Sequence, residues 1–304
     1  MVKILYIAGW GRSGTTIVDN IFNSYASVFS TGELFYLWQR GFLHRRKCGC
    51  NVLFERCVLW RDILRAAFGD RIPDPERVVG LQQHSVRVRQ TLSLTAGELS
   101  PAAAEYRDIC ARLYQAIAEV TGASLIVDSS KVPSGAALLT RMPGVEPYLL
   151  HMVRDPRAVT YSWMRAAPPP EKRKNAAPIY QRPASSTVHW LVRNALTERL
   201  ASAFPQRHKR LRYEDFAARP RAVIEGVLEM TGTPVNEGPF LGDATVMLEP
   251  NHTIAGNPSR FRSGEIALRN DDRWRSEQPA GPRLTSTCLA FPLLRRYGYR
   301  AKVR

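Results

Sequence analysis

The sequence predicts an α/β fold with three layers, in which helices cover both faces of a central, mainly parallel sheet. Three observations predict it: short β-branched runs, segments of helical periodicity between them, and a glycine-containing turn between the first run and the first helix. Strands that alternate with helices are typical of βαβ units, which bring successive strands into parallel order. Residues 1–304 are expected to form one domain, because neither an internal repeat nor a clean boundary interrupts this pattern.

Short apolar or β-branched runs identify the strands. Four such runs are bounded by turn residues, which favours strands over helices. The predicted strands are Val2–Ala8, Ser124–Val127, Pro147–Val153 and Lys209–Tyr213. A further strand is expected just before Glu33, after the first helix.

Helical periodicity identifies the segments that cover the sheet. The first helix is expected to begin after Gly14, where apolar residues recur at helical spacing. A long helix is expected from Pro101 to Val120, with Ser100 as its N-cap and Gly122 as its C-cap. Another is expected from about Thr187 to Ala203.

Two segments interrupt the alternation of strands and helices. Residues 34–99 are basic, contain cysteines and show weak periodicity, so we expect them to form an inserted cap over one end of the sheet. Residues 166–183 are rich in proline and lysine and are expected to form a mobile loop. The predicted molecule is therefore one domain with a variable cap.

The composition is that of a globular protein with an excess of positive charge. Hydrophobic residues make up 44% and charged residues 23% of the chain, which excludes a disordered or fibrous protein. A net charge of +16 indicates a polyanionic partner or substrate. No apolar run approaches the roughly 18 residues that cross a bilayer, and the N-terminus lacks the pattern of a signal peptide. Since five cysteines do not make a disulfide framework, a reduced, cytoplasmic protein is expected.

The turn after the first strand has the pattern of a phosphate-binding loop. Residues 9–16 read GWGRSGTT and match the P-loop pattern except at one position. Amides at the start of a helix have no intrahelical partner, and the helix dipole adds positive potential there. Gly14, Thr15 and Thr16 would donate to an anion, and Arg12 would supply a cation. The alternative is a turn with only a structural role.

The position that departs from the pattern indicates the chemistry. Thr15 stands where P-loop kinases and hydrolases place the lysine that acts with Mg²⁺ on the β- and γ-phosphates. A transferring sulfuryl group carries less negative charge than a phosphoryl group, so donors and a guanidinium can stabilise it without a metal. This P-loop-like turn therefore favours sulfuryl transfer over kinase chemistry.

A second anion site is predicted at the end of the strand Pro147–Val153. Asp155 is suited to be an N-cap and Pro156 a first helical residue. Arg154 is then at the carboxyl end of the strand, where open α/β sheets bind ligands. Ser162 lies about two turns further along the helix on the same side, so the pair could hold a phosphate from two directions. The alternative is that Arg154 is a solvated charge or an ion-pair partner.

Together these segments resemble sulfotransferases that use 3′-phosphoadenosine-5′-phosphosulfate (PAPS), most closely the bacterial and carbohydrate-type branch. GWGRSGTT (9–16) is similar to their 5′-phosphosulfate loop, and VRDPRAVTYSW (153–163) to their 3′-phosphate motif. Residues 34–99 match only by a Cys-Gly-Cys…Cys…Trp pattern. Three further segments agree in order: VDSSKVP (127–133), LRYEDF (211–216) and HTIAGNPSRFRSG (252–264).

The resemblance implies which residues contact the donor. Ile17 departs from the cytosolic members, which place an adenine-stacking tryptophan there, so adenine must stack elsewhere, and Trp10 is one candidate. The implied donor contacts are Arg12, Ser13, Gly14, Thr15 and Thr16 for the 5′-phosphosulfate, Arg154 and Ser162 for the 3′-phosphate, and Tyr213, Gly256, Asn257 and Arg260 around the nucleotide.

Transfer to a hydroxyl needs a base that removes the acceptor's proton. Glu33 follows the predicted second strand at the carboxyl edge of the sheet, and the carbohydrate-type enzymes that the chain resembles use a glutamate from this region. Lys131 would stabilise the bridging oxygen or the sulfuryl group, and Asp128 or Ser129 would contact the acceptor. The alternatives are a helix cap or arginine pair for Glu33 and a structural salt bridge for Lys131 and Asp128.

The remaining histidines and cysteines are expected to be structural for the most part. His151 lies in an apolar strand and is expected in the core, whereas His252 is expected either to shape its loop or to contact the acceptor. The cysteines form a Cys-x-Cys-x₆-Cys cluster near His44, which falls short of the four ligands and paired spacing of a zinc site. A packed thiol cluster and no metal are expected. The cysteines are Cys48, Cys50 and Cys57.

These inferences predict a PAPS-dependent sulfotransferase with direct, in-line transfer to a hydroxyl or amine of a carbohydrate, lipid or small-molecule acceptor. The cap 34–99 and the loop 166–183 would line the acceptor pocket. Two alternatives stay open: a P-loop-type nucleotide kinase without the usual lysine, and a non-enzymatic polyanion-binding protein. Nucleic-acid binding is not expected, because the basic residues are scattered and no aromatic–basic repeat appears. No motif identifies the acceptor or the oligomeric state.

Overall fold

A computed structural model describes residues 1–166, 179–235 and 238–301. Its strands are β1 (Val2–Gly9), β2 (Val28–Gly32), β3 (Leu125–Lys131), β4 (Val145–Val153), β5 (His208–Arg212), β6 (Thr245–Leu248) and β7 (Gly264–Ala267). The first five form one sheet in the order β2-β3-β1-β4-β5, in which every neighbouring pair is parallel. The short strands β6 and β7 pair antiparallel outside it. The predicted α/β fold with a mainly parallel central sheet is confirmed.

The end of β3 is where the predicted and observed strands differ most. The apolar run predicts an end at Val127, but β3 continues to Lys131. The added residues Asp128, Ser129 and Ser130 are polar and yet buried. Polar residues at the end of an apolar run are typical of a loop, whereas here they continue the strand into the edge of the sheet where the candidate site lies.

Helices separate the strands and cover the sheet, as predicted. The long helix α4 has the predicted caps: the Ser100 side chain accepts a hydrogen bond from the Ala103 amide, and Gly122 adopts the left-handed conformation. No helix in the described ranges is long and apolar enough to span a membrane. The helices are α1 (Thr15–Asn23), α2 (Val58–Phe68), α3 (Pro75–Ser85), α4 (Pro101–Thr121), α5 (Pro133–Leu139), α6 (Pro156–Met164), α7 (Pro183–Leu200), α8 (Tyr213–Ala218), α9 (Pro220–Thr231), α10 (Trp274–Glu277) and α11 (Ala280–Arg296).

The central strand β1 contributes to a hydrophobic core on each face of the sheet. Ile4 and Tyr6 point to one side, where α4, α5 and the segment after β2 pack. Leu5 and Ile7 point to the other side, where α1, α9 and β6 pack. All four side chains are almost completely buried. Alternate side chains of a strand point to opposite faces, so a continuous apolar run is what a strand covered on both sides requires.

The segment 34–99, predicted as a weakly periodic cap, contains two regular helices. α2 and α3 both pack against α4, and Trp60 and Val78 are fully buried in the core that contains Ile4. A π-helix over Leu37–Leu43 connects β2 to this region. Most of the predicted mobile loop 166–183 lies outside the described residues. At its described end, Ile179–Gln181 form a short 3₁₀ turn before α7.

The strand order places a crevice at the carboxyl ends of the strands around β1. β1 lies between β3 and β4, so the connection after β1 runs to one side of the sheet and the connection after β3 crosses to the other. Such a switch point is where open α/β sheets bind ligands. The register aligns Ala8 with Lys131 and Gly9 with Met152, so these strand ends lie level with one another.

Candidate active site

Close contacts at two glycines shape the loop after β1. Gly9 has a φ of +136°, and a Cβ atom there would lie 2.2 Å from the carbonyl oxygen of Met152 on β4. Gly14 has a φ of +83°, and a Cβ atom there would lie 2.4 Å from the ring of Tyr213. Side chains are excluded at both positions, because the backbone conformation and the available space each require glycine. The loop backbone therefore lies directly against β4 and Tyr213.

The loop also presents hydrogen-bond donors at the start of α1. Gly14 is the N-cap, and within the described chain no side chain caps the helix, whose first turn contains no acidic residue. Ser13 is fully buried, and its Oγ has no hydrogen-bond partner among the described residues. A buried hydroxyl is costly unless something satisfies it. The buried Thr15 and the half-buried Thr16 follow, so the loop fits an oxyanion such as phosphate or sulfate.

Arg12 brings a cation into this loop. It adopts a left-handed backbone conformation with a φ of +68°, and its guanidinium stacks over the indole of Trp163 with 4.9 Å to the ring centroid. Burial lowers the pKa of Arg12, and the negative charge of Glu33 opposes that shift. Arg12 and Glu33 therefore interact electrostatically across the candidate site.

Arg154 connects the two predicted anion sites. Its guanidinium stacks on the ring of Tyr213 with 4.3 Å to the centroid, and its Nη1 donates to the carbonyl oxygen of Arg12 over 3.2 Å. The same tyrosine ring lies against Gly14. The arginine of the second site is therefore part of the wall of the first.

Arg154 also has an acidic partner that the sequence did not reveal. Its Nη2 donates to the carbonyl oxygen of Asp271 over 3.0 Å and lies 3.6 Å from the Asp271 carboxylate. The arginine side chain is buried, whereas the aspartate side chain is 31% exposed. Arg154 is therefore an ion-pair partner, which was one of the alternatives for this residue, and it also lies at the end of the strand.

Helix α6 begins as the sequence predicts. Asp155 is its N-cap and accepts a hydrogen bond from the Arg157 amide over 2.9 Å, with Pro156 at the first position. The carboxylate of Asp155 also pairs with the guanidinium of Arg157 at 2.7 Å. The charge of Asp155 is therefore compensated by Arg157, and the guanidinium of Arg154 pairs with other groups. Ser162 is half-buried about two turns along α6.

Glu33 lies buried between two cations. Its Oε1 accepts a hydrogen bond from the Lys131 ammonium over 2.5 Å, and its Oε2 lies 3.7 Å from a guanidinium nitrogen of Arg40. Burial by itself raises the pKa of Glu33, but the charges of Lys131 and Arg40 and the hydrogen bond from Lys131 outweigh it and hold the pKa below its ordinary value. Glu33 is therefore an ionised carboxylate at neutral pH, as a general base must be.

Lys131 is positioned by the end of β3. Its backbone is left-handed with a φ of +66°, and its ammonium also donates to the carbonyl oxygen of Ser129 over 2.8 Å. The carbonyl oxygen of Lys131 accepts a hydrogen bond from Arg193 on α7 over 3.4 Å. The structure therefore joins Glu33 and Lys131, two residues predicted from different strands, into one buried pair.

The segment after β6 closes this side of the site. Ile254 pairs with Gly32 at the end of β2, and its carbonyl oxygen accepts the amide of Glu33 over 2.8 Å. A Cβ atom at Gly256 would lie 3.7 Å from the Glu33 Oε1. Asn257 accepts the Ser259 amide over 3.0 Å and so caps the short turn that follows. The predicted C-terminal loop therefore lies beside the candidate base.

Arg260, predicted to contact the nucleotide, is buried with its guanidinium turned to the backbone. Its Nη1 donates to the carbonyl oxygen of Thr253 over 2.6 Å, and its Nη2 donates to the carbonyl oxygen of Lys47 over 2.5 Å. Burial lowers the pKa of Arg260 to about 10. In this arrangement Arg260 holds the C-terminal loop against the residues that follow the π-helix.

Asp128, one of the candidate acceptor contacts, is committed to the interior. Its carboxylate accepts hydrogen bonds from the Tyr114 hydroxyl over 2.6 Å and from the Ser130 amide over 2.8 Å. Burial raises the pKa of Asp128 to about 6. Only 2% of the residue is exposed, so it supports the end of β3 and does not reach an acceptor.

His151 is a core residue, as the sequence predicts. It is buried on β4, and its Nε2 pairs with the Asn194 side-chain oxygen on α7 over 2.9 Å. Burial lowers the pKa of His151 to about 4, so the imidazole is neutral.

Trp10 is enclosed by other aromatic residues and is 5% exposed. Its ring centroid lies 5.9 Å from that of Trp163, 5.2 Å from that of Tyr180 and 5.4 Å from that of His189. The guanidinium of Arg193 stacks over it as well, at 5.0 Å. With its faces covered in this way, Trp10 does not offer a surface for adenine.

A cavity of about 270 Å³ is lined in part by residues that closely follow the candidate base and its partner in sequence. Phe35 and Tyr36, which follow Glu33, line it together with Val132, which follows Lys131. The guanidinium of Arg40 stacks on the Tyr36 ring, 4.5 Å from its centroid. The other lining residues come from α3, the turn after it and α7: Gln82, Gln83, Val86, Arg87, Val88 and Arg193.

Arg40 and Arg193 are site residues that sequence reasoning missed. Both lie in segments where many arginines occur, and no local pattern distinguishes them from surface charges. The chain between Glu33 and Arg40 is 3₁₀- and π-helical, so α-helical spacing does not predict their contact.

The three cysteines of the cap gather around His252 and not around His44. The Sγ atoms of Cys57 and Cys48 lie 3.3 and 3.8 Å from the His252 Nδ1. Burial raises the pKa of both of these thiols and lowers the pKa of the imidazole. Of the two expectations for His252, the structure favours loop structure over acceptor contact.

Solved structures of similar fold come from bacterial sulfotransferases. The sulfotransferase domain from the Synechococcus PCC 7002 olefin synthase is 19% identical, with a TM-score of 0.52, and the match covers 96% of this chain and 94% of that domain. The sulfotransferase domain from the curacin biosynthetic pathway is 18% identical, with a TM-score of 0.52 and 99% of both chains covered. At this level of identity the similarity shows the fold.

The sequence itself carries the family assignment. No curated protein matches it significantly. The model of the sulfotransferase family, however, matches residues 5–237, which include the glycine loop, the pair Glu33–Lys131 and Arg154. The match extends over well more than half of the chain, and the chain therefore belongs to the sulfotransferase family.

Proposed function

We propose that this sulfotransferase takes the sulfuryl group from PAPS and passes it by direct, in-line transfer to a hydroxyl or amine of a carbohydrate, lipid or small-molecule acceptor. The observation that carries the proposal is the position of Arg154. It stacks on Tyr213, which lies against Gly14, and it donates to the backbone of Arg12. Two anion sites that share one wall suit a nucleotide that carries a phosphate on both sides of its ribose.

The glycine loop would hold the 5′-phosphosulfate. The unpartnered Oγ of Ser13 and the amides of Gly14, Thr15 and Thr16 supply donors, and Arg12 supplies positive charge. PAPS itself supplies an activated sulfuryl group whose departure leaves negative charge on the 5′-phosphate. Donors and a guanidinium that are already in place stabilise such charge without reorganisation.

Arg154 and Ser162 would hold the 3′-phosphate. Arg154 is paired with Asp271, so the phosphate would replace the Asp271 carboxylate as the partner of the guanidinium. Charge-assisted hydrogen bonds from arginine to phosphate are among the strongest in proteins. Tyr213 would position this arginine, while Gly256, Asn257 and Arg260 would hold the C-terminal loop over the nucleotide.

Glu33 would act as the general base. It is ionised, and its neighbours Phe35 and Tyr36 line the cavity into which an acceptor would fit. As the acceptor oxygen bonds to sulfur, its proton would pass to the Glu33 carboxylate. Lys131, in contact with the same carboxylate, would place its positive charge beside the transferring group.

The lining and volume of the cavity indicate which kind of acceptor it can bind. Aromatic and apolar side chains line it together with two glutamines and two arginines. At about 270 Å³ it is near the lower limit of roughly 300 Å³ for ligand pockets. A small molecule, or one end of a longer chain, fits these dimensions, and the two arginines favour an acceptor with negative charge.

Thermal-shift measurements with nucleotides test the donor. Adenosine 3′,5′-bisphosphate (PAP) is expected to raise the melting temperature more than AMP, ADP or ATP at equal concentration, because it alone of the four carries a 3′-phosphate. A larger shift with ATP and Mg²⁺ would favour a kinase, and transfer activity without added Mg²⁺ would argue against one. Strong, salt-dependent DNA binding without any PAP shift would favour a polyanion-binding protein.

A further inference from the structure

Four side chains that commonly bind metals converge where the cap meets the C-terminal loop. They come from two places in the sequence: three cysteines within residues 48–57, and a histidine immediately before the segment that pairs with β2. Their ligand atoms all lie within 4.8 Å of one another. The four residues are Cys48, Cys50, Cys57 and His252.

Three distances within this cluster are close to the edge lengths of a zinc tetrahedron. The Sγ atoms of Cys50 and Cys57 are 3.7 Å apart, and the His252 Nδ1 lies 3.3 Å from the Cys57 Sγ and 3.8 Å from the Cys48 Sγ. Zinc bound at about 2.3 Å by sulfur and about 2.0 Å by nitrogen in tetrahedral geometry separates its ligands by roughly 3.5 to 3.8 Å. These three separations are therefore close to the spacing that a zinc ion would require, and all six lie within 4.8 Å.

A disulfide does not account for the arrangement. All three cysteines are free thiols, and the sulfur–sulfur distance of 3.7 Å far exceeds the roughly 2.05 Å of a disulfide bond. A disulfide would also leave one thiol and the imidazole without a role. Three sulfurs and one imidazole nitrogen are instead a ligand set that selects zinc over hard cations such as Mg²⁺ or Ca²⁺.

The surroundings of the cluster suit a site with negative charge. Three thiolates and one neutral imidazole around Zn²⁺ carry a net charge of −1. Arg260 is buried beside the cluster, where it donates to the carbonyl oxygen of Lys47, the residue before Cys48. A buried cation is thus in place to compensate a metal–thiolate centre.

We propose that Cys48, Cys50, Cys57 and His252 bind one Zn²⁺ ion in a closed, structural site. Four protein ligands complete the tetrahedron and leave no position for water or substrate, so the ion would take no part in sulfuryl transfer. Binding would release the thiol protons to solvent as the sulfurs become thiolates. The proposal does not depend on the identity of the sulfuryl donor.

The site would fasten the cap to the segment that flanks the candidate base. The carbonyl oxygen of His252 accepts the indole N–H of Trp60 over 2.7 Å, and the Gly49 amide donates to the Thr253 carbonyl oxygen over 3.0 Å. Two residues after His252, Ile254 pairs with the end of β2 next to Glu33. A zinc ion at His252 would therefore fix the register between α2 and the wall of the active site.

Sequence spacing alone pointed away from this site because its fourth ligand is distant. Cys57 and His252 are separated by 195 positions, and the histidine that is near in sequence, His44, is not part of the cluster. The expectation of no metal was based on a count of three thiols and His44. With His252 in the set, the usual number of four ligands for structural zinc is met.

Metal analysis of the full chain tests the proposal, with a tag-free protein because polyhistidine itself binds zinc. After expression with added zinc and exhaustive buffer exchange, mass spectrometry of the metal content is expected to find about one zinc ion per chain. The double variant Cys50→Ser/Cys57→Ser is expected to lose at least nine-tenths of it. Cys288→Ser, which removes the exposed cysteine outside the cluster, is the matched control and is expected to keep it.

A second measurement does not depend on how the double variant folds. Wild-type protein loaded with Co²⁺ is expected to show the visible bands of tetrahedral cobalt together with thiolate-to-cobalt charge transfer, and added Zn²⁺ should abolish both. Absence of zinc from the wild type and of the cobalt bands would overturn the proposal. Full retention of zinc by a folded double variant would overturn it as well.

Discussion

The Lys131 ammonium lies 2.5 Å from the Glu33 carboxylate, and both side chains are largely buried. The pair joins the end of β3 to the residue that follows β2, so the sheet itself fixes its geometry. Removing one partner of a buried ion pair leaves the other charge uncompensated in the interior, which strongly destabilises the folded protein. Substitution of Lys131 should therefore change the pKa of Glu33, and this makes the role of the pair testable.

Glu33→Gln is expected to abolish turnover while leaving PAP affinity nearly unchanged. The amide keeps the shape of the side chain but cannot accept the acceptor's proton, and general bases contribute roughly 10²- to 10⁴-fold to rate. Steady-state kinetics together with calorimetric PAP binding measures both effects. Glu55→Gln, at a more exposed ion pair with Arg45, is the matched control and should keep full activity. Wild-type kcat in the Glu33 variant would remove this residue from the mechanism.

Lys131→Met is expected to shift the acidic limb of the pH–rate profile to higher pH. In the wild type the cationic neighbours hold the pKa of Glu33 below its ordinary value, so the base loses activity only at strongly acidic pH. Without the lysine, its lowering effect is lost while burial still raises the pKa of Glu33, so that pKa moves up. The profile of kcat/KM for the free enzyme reports this group. An unchanged acidic limb would mean that Glu33 is not the titrating base.

The same pair should contribute to stability with a defined dependence on pH. Because the folded pKa of Glu33 is depressed, its stabilising contribution is fully present above the unfolded value of about 4.3 and is lost as the pH falls through the folded pKa. Urea unfolding of wild type and Glu33→Gln at a series of pH values measures it. The difference between the two free energies of unfolding should shrink below about pH 4. A difference that stays constant down to that range would contradict the assigned direction.

The sheet and the ends of its strands could be predicted from the sequence because both depend on local patterns. The β-branched run before the glycine loop predicted β1 and α1. The residues Arg154, Asp155 and Pro156 predicted the end of β4 and the start of α6. Parallel order then places such strand ends at one edge of the sheet. That rule places Glu33 and Lys131 at the same edge, whereas their contact depends on the position of β2 next to β3, which only the structure shows.

The partners of the site residues could not be predicted, because they depend on contacts between distant segments. Asp271 pairs with Arg154 across 117 positions, and His252 joins Cys57 across 195. Trp10 was a candidate for adenine stacking, but Tyr180 and His189 from the region of α7 enclose it. A one-dimensional pattern identifies which residues end a strand, and it carries little information on what packs against them.

Gly14→Ala is expected to weaken PAP binding by at least tenfold. The position requires a left-handed backbone, and the added methyl group would lie 2.4 Å from the Tyr213 ring, which must move and take Arg154 with it. Gly122→Ala is the matched control, since Gly122 has a similar φ of +67° but open space around its Cβ position. Both variants should lose about 1 kcal/mol of stability from backbone strain. Equal PAP affinities in the two variants would show that the Tyr213 contact is irrelevant to binding.

Asp271→Asn is expected to tighten PAP binding relative to AMP, because Asp271 competes with the 3′-phosphate for Arg154. Its carboxylate lies 3.6 Å from the guanidinium, and hydrogen bonding from Arg273 lowers the pKa of Asp271, so it is negative at neutral pH. The asparagine removes this charge from beside the incoming phosphate but keeps the backbone carbonyl to which Arg154 donates.

Arg154→Ala should act in the opposite direction and remove the preference for PAP over AMP. Loss of a charge-assisted hydrogen bond costs about 1.5 to 3 kcal/mol, or roughly 10- to 100-fold in affinity. Titration calorimetry with both nucleotides measures the ratio, and Asp272→Asn, at an exposed pair with Arg275, serves as the control for a change of net charge alone. If Asp271→Asn instead weakened PAP binding while sparing AMP, Asp271 would be a support for Arg154 and not its competitor. The proposal that the 3′-phosphate replaces the Asp271 carboxylate as the partner of Arg154 would then be wrong.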